Sequence, residues 1–194
     1  MYDRGDMTSL THQMVALLSG FFVLTLFPVQ VGPGIGIAVI LAVMIGALTP
    51  DLDHPAANLW NRMIGSNTLS KLFQVFSGGH RHLTHSFVGI IGIGWLLWQV
   101  IHRFIQPQYA ESLTYVWIAF MIGYISHSVA DTITDRGVPW FWPFQFSIKL
   151  PPGPEELRVT TGSFVEIILL RGGIIISIFF LLSSHWFVLA SLFR

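Results

Sequence analysis

Residues 79–86 read GHRHLTHS, three histidines in eight residues. TPDLDHP stands at 49–55 and GYISHSVADTITDRG at 123–137. Neutral imidazoles and carboxylates together suit zinc, manganese or another first-row divalent ion. An oxygen-only calcium site would not need so many histidines. The chain has no cysteine, which removes thiolate ligands, cysteine nucleophiles and disulfides together. His127 and Asp131 are four residues apart and share one face if the segment is helical. Asp51 and Asp53 put two carboxylates on a turn after Pro50.

These groups must be held by a membrane protein. Of the 194 residues 53% are hydrophobic and 10% charged, where a soluble domain carries about 25% charged residues. Five apolar segments approach the length that spans about 30 Å of hydrocarbon: 10–29, 31–49, 86–105, 113–130 and 172–192. The expected fold is therefore all-α, a polytopic bundle of about five transmembrane helices forming one domain over residues 1–194. The first segment reads as a mature helix and not a secretory signal, because Asp3 and Asp6 oppose Arg4 and no small-residue cleavage site follows. Leu69, Leu72, Phe73 and Phe76 form an i, i+3, i+4, i+7 stripe, which predicts an amphipathic helix on the membrane surface. Residues 136–165 are rich in proline and aromatics and read as an interfacial loop.

Five spans place the N-terminus and the loops at 50–85 and 131–165 on one side. That side holds Arg4, Arg62, Lys71, Arg81, Arg136, Lys149 and Arg158, against Arg103 and Arg194 on the other. The positive-inside rule makes the first side cytoplasmic and puts the N-terminus in the cytoplasm. His12, Asp51, Asp53, His80, His82, His85, His127 and Asp131 all arrive at that face. A zero formal net charge gives no reason to expect nucleic acid as a partner.

Each residue also has a structural reading. His12 alone could be a helix-end residue, and Asp53 could cap its turn. His54, His80 and His82 could be exposed or lie behind the ligands, and Asp135 could pair near Arg136. His102 and His185 fall at or near the other side and are set apart. The aromatic cluster at 140–144 suits membrane anchoring. For His85, His127 and Asp131 a purely structural role is harder to sustain, since ionisable groups at a span terminus are costly unless something binds them.

Thr11–His12, PDLDH, HRHLTHS and the stretch from Gly123 to Phe144 (GYxSHxxxDxxTxxGVPWFWPF) together resemble the YdjM family of bacterial inner-membrane proteins. The resemblance covers about residues 8–146. It implies a membrane-bound metal-dependent hydrolase, linked in some bacteria to the SOS response. The order His, Asp, His, His-x3-Asp is also similar to part of the zinc-dependent phospholipase C and single-strand nuclease superfamily. That likeness implies His12, Asp51 or Asp53, His85, His127 and Asp131 as ligands of zinc, with Asp131 bridging two ions. The superfamily's further histidines and glutamate after the His-x3-Asp pair have no counterpart here, so one or two ions are expected, not three.

The leading expectation is a hydrolase of a phosphoester in a phospholipid or prenyl-phosphate substrate. Arg81, Thr84, Ser86 and Arg136 are candidates to contact phosphate. Asp53 or Asp135, where not a ligand, could act as general base. A scaffold or regulator with a structural metal, and a metal or proton transporter, are the alternatives. The transporter requires ionisable residues at span midplanes, which this sequence does not offer. A serine hydrolase lacks a nucleophile-elbow context around Ser86 or Ser126. The oligomeric state is open.

Overall fold

The computed structural model describes residues 7–53, 83–144 and 146–194. Helix α1 runs Ser9–Leu26 and starts at Thr8, whose hydroxyl accepts from the Thr11 N–H and so satisfies one of the helix's orphan donors. Helix α2 runs Gly32–Leu48 with Pro33 in its first turn, where the missing N–H would have had no partner anyway. Its 17 residues rise about 26 Å, slightly less than the hydrocarbon core. Thr49 and a single 3-10 turn, Pro50–Asp53, end it.

Helix α3, Phe87–Phe104, is capped by Ser86, whose Oγ accepts from the Gly89 N–H at 3.2 Å. Helix α4, Pro107–Thr132, is the longest among the described residues. A π-helical stretch, Val165–Leu170, leads directly into α5, Arg171–Ser184, and short α6 follows at Trp186–Ser191. Among the described residues α1, α3, α4 and the continuous Val165–Ser184 helix are long and apolar enough to cross a membrane, and α2 is a shorter apolar helix. This is an all-α membrane bundle; among the described residues two isolated β-bridges, Thr134–Val159 and Val138–Ile148, lie in the connection before the last span.

The last span departs from the expected 172–192. It begins at Val165 and ends at Ser184, with a break at His185. Glu166 and Arg171, which a hydropathy reading excludes from a span, are accommodated because they are hydrogen-bonded inside the protein. The amphipathic stripe at 69–76 lies outside the described residues.

Helices α2 and α4 share the most extensive contact, α1 packs across both, α3 rests on α4, and α5 on α1. Their common core is built from Ala16, Ala42, Ala47 and Ala119 with Val39, Val43 and Leu192. Lipid offers no hydrophobic drive for helix association, so close packing through small side chains has to supply it. Gly46 and Gly123 take this to its limit. A Cβ on Gly46 would lie 2.1 Å from the Phe120 carbonyl oxygen, and one on Gly123 would lie 2.0 Å from that of Val43. Large side chains such as Phe22, Leu41, Ile91 and Phe179 face outward, as lipid-facing positions should.

Candidate metal centre

The close approach of α2 and α4 places the Ala47 carbonyl against the next turn of α4. There it accepts from His127 Nδ1 at 2.6 Å. A carbonyl can only accept, so Nδ1 carries the proton and Nε2 keeps its lone pair. One turn further along α4, Asp131 is fully buried like His127, and its Oδ2 lies 3.3 Å from His127 Nε2.

His85 sits in the turn before α3. Ser86 Oγ donates to the Leu83 carbonyl at 2.7 Å, and the Tyr124 hydroxyl donates to the Thr84 carbonyl at 2.7 Å. The Phe87 N–H donates to the Trp140 carbonyl at 3.0 Å, which joins the aromatic loop to this turn. His85 Nδ1 is 3.0 Å from Thr84 Oγ1, and Nε2 is 3.4 Å from Asp131 Oδ2. His12, on the first turn of α1, stacks on His127 with ring centroids 3.7 Å apart, and its Nε2 lies 3.3 Å from Asp131 Oδ1. Asp51, on the 3-10 turn, is 29% exposed and brings Oδ1 within 3.5 Å of His127 Nε2.

Four segments distant in sequence thus deliver three imidazoles and two carboxylates to one place. Two groups have donor atoms within 4.8 Å of one another: His12, His127 and Asp131, and Asp51, His85 and His127. The donor set fits a divalent ion. His127 Nε2 is buried with no hydrogen-bond partner among the described residues, while its other nitrogen is committed to Ala47; this orients a ligating histidine. That commitment also means His127 can serve only one ion, although it belongs to both groups.

Asp135 is not in either group. It accepts from Thr160 Oγ1 at 3.0 Å. Thr84 and Ser86 are buried and engaged in the turn's own hydrogen bonds. Asp53 closes the 3-10 turn with its backbone, but its side chain, like His54, His80, Arg81 and His82, lies outside the described residues. His102 leans on Trp98 near the other end of α3, and His185 lies beyond α5.

A model of the YdjM inner membrane protein family matches residues 7–193. The chain belongs to this family. The YdjM inner membrane proteins of Escherichia coli (strain K12) and Shigella flexneri are each 30% identical to it over 115 residues, 58% of this chain and 53% of theirs. The chain thus spans about half the length of the curated relatives it matches. No solved structure matches it. Family and apolar helices together make it a multi-pass inner-membrane protein.

In this YdjM family member a second polar assembly braces the first. Glu166 is fully buried. Its Oε1 accepts from the Thr8 N–H at 2.9 Å, Thr8 Oγ1 at 2.8 Å and Thr11 Oγ1 at 2.6 Å, and its Oε2 from the Gly162 N–H at 2.7 Å. Arg171 donates to Thr11 Oγ1 at 2.9 Å and Thr8 Oγ1 at 2.6 Å. The start of α1, and with it His12, is fastened to the last span. Sequence reading missed this assembly because it ended the loop at 165 and began the last span at 172, which left Glu166 and Arg171 between the two. The available signal was an acid and a base five residues apart at the threshold of an apolar run.

Proposed function

We propose that this protein is a metal-dependent hydrolase acting on a phosphoester in a lipid at the cytoplasmic face of the bacterial inner membrane. Zinc, as one or two ions, is the metal that best suits the donors. The observation that carries the reading is the convergence of His12, Asp51, His85, His127 and Asp131, four of them at most 1% exposed. Burying so many ionisable groups is costly unless a ligand uses them.

His12, His85, His127, Asp51 and Asp131 would hold the metal, which when bound lowers the pKa of water and stabilises developing negative charge. The protein's own part is to fix the donors. Ala47 sets the His127 tautomer, the Tyr124–Thr84 bond sets the His85 turn, and the Glu166 assembly sets α1. Asp51, the one partly exposed carboxylate of the set, marks where the site opens. A site with an open side favours catalysis over a closed structural metal. A lipid substrate is supported by the setting of these donors at the ends of membrane-spanning helices. A role within the SOS response belongs to the same proposal.

The test is metal analysis of the purified protein joined to hydrolysis of phosphatidic acid, phosphatidylglycerol and prenyl phosphates in detergent. Metal-dependent release of phosphate or a headgroup, lost in His127→Ala, is the expected result. Stoichiometric metal with no hydrolysis of any ester would instead favour a scaffold with a structural ion.

A further inference from the structure

Arginine within a membrane-spanning helix is costly and normally marks function. Arg171 lies inside the Val165–Ser184 span, and the helix is deformed around it. Five residues along an α-helix turn through about 500°, which leaves their side chains about 140° apart. In the π-helical stretch the Arg171 N–H instead reaches back to the Glu166 carbonyl. That wider turn brings Glu166 and Arg171 toward one face.

We propose that Arg171 is a phosphate-binding residue at the edge of the metal centre, held ready by Glu166, Thr8 and Thr11. The proposal rests on the phosphoester reading above and names the group that recognises the anion. Glu166 does not use up the guanidinium. Its oxygens already accept from two threonine hydroxyls and two backbone N–H groups, and Arg171 Nη2 comes no nearer than 3.7 Å. The guanidinium is held through neutral hydroxyls, with Nε on Thr11 and Nη2 on Thr8. Each hydroxyl accepts from the arginine and donates to the glutamate. Nη1 makes no hydrogen bond among the described residues, and the side chain is 19% exposed. A donor pair on a rigid planar group is what bidentate phosphate recognition requires.

The His12 N–H donates to the Thr8 carbonyl at 3.2 Å, so Thr8 lies one turn before His12 along the chain, and Thr11, the other anchor of Arg171, immediately precedes His12. Both residues that hold Arg171 therefore belong to the same first turn of α1 as a candidate ligand. A phosphate at the metal centre could be a free anion or a lipid headgroup, and both present the same oxygens.

The test uses the full chain in nanodiscs supplied with zinc. Bound zinc is measured together with binding of inorganic phosphate and of phosphatidic acid against phosphatidylcholine. Arg171→Gln should keep its zinc and weaken phosphate binding about tenfold or more, as loss of a charge-assisted bond implies. Arg171→Lys, which retains a donor for Thr8, should lose less, and Arg103→Gln at the far end of α3 nothing. Weakening of inorganic phosphate binding would identify a free anion, and weakening of phosphatidic acid binding alone a headgroup; either supports the proposal. Unchanged binding of both probes by Arg171→Gln or, should it not fold, by Arg171→Lys would overturn it. So would loss of zinc in step with phosphate, which would make Arg171 a structural strut. A wild-type protein that binds zinc and phosphate through Arg171 yet cleaves no ester would refute the hydrolase reading and leave this one standing.

Discussion

Gly123→Ala tests whether helix proximity builds the metal centre. The added Cβ would lie 2.0 Å from the Val43 carbonyl oxygen, and the neighbour is backbone, which cannot rotate away. Relieving the clash to 3.0 Å demands that α2 and α4 part by about 1 Å in a tightly packed interior. The His127 Nδ1 to Ala47 bond, 2.6 Å long and one turn away, would stretch to about 3.6 Å, beyond hydrogen-bonding range. His127 would then lose the contact that fixes its tautomer. Groups in that position typically carry about 10–100-fold in metal affinity, while overpacking typically costs about 1–3 kcal/mol of stability. Zinc titration of detergent-solubilised apo-protein against a competing chelator, with helicity followed by circular dichroism, reads both effects. Gly92→Ala is the control, because a Cβ there meets nothing within 4 Å. Wild-type zinc affinity in a folded Gly123→Ala protein would refute the claim that the Ala47 contact prepares His127.

Asp131→Asn keeps the shape of a residue whose oxygens approach His12, His85 and His127; affinity should fall by more than the roughly 10–100-fold that orienting groups carry, and hydrolysis should vanish. Unchanged zinc content in that variant would remove Asp131 from the ligands. His85→Ala and His127→Ala should each reduce bound metal per protein, while His102→Ala and His185→Ala should not; equal content in all four would leave the centre unsupported. Cysteines introduced at Glu155 and Gln106, both exposed, should react with impermeant reagents from the cytoplasmic and periplasmic sides respectively. Labelling of Glu155→Cys from the periplasm would invert the proposed orientation.

Hydropathy located α1, α2 and α3 to within three residues, their runs being bounded by Pro28, Pro50 and the cap Ser86. Helix α4, expected at 113–130, begins six residues earlier because Pro107 fits a first helical turn and Gln108 to Ser112 are polar enough to escape a hydropathy window. The His127–Asp131 pair was legible because helical periodicity is local. What the sequence could not disclose depends on partners far along the chain. Glu166 is tolerable in a span only because Thr8, Thr11 and Gly162 satisfy it, and no window of hydropathy contains all four. The role of Gly46 and Gly123 is equally nonlocal: each is needed because of a carbonyl on the other helix. Asp135 shows the converse. It follows Asp131 by one nominal turn, but α4 ends at Thr132 and the chain turns away, so Asp135 meets Thr160 instead.

The uneven exposure of the donors bears on how an ion would come and go. His12, His85, His127 and Asp131 are sealed to 1% or less, whereas Asp51 keeps 29% of its side chain accessible. Among these five, only the carboxylate on the short 3-10 turn is open to an arriving ion. Release would run in reverse, with the buried donors letting go before the outer one. An ion held by such donors would exchange slowly with its surroundings, because four of the five are closed to solvent. The metal carried by the protein would then record the pool present when the helices assembled, more than the buffer in which they are later kept.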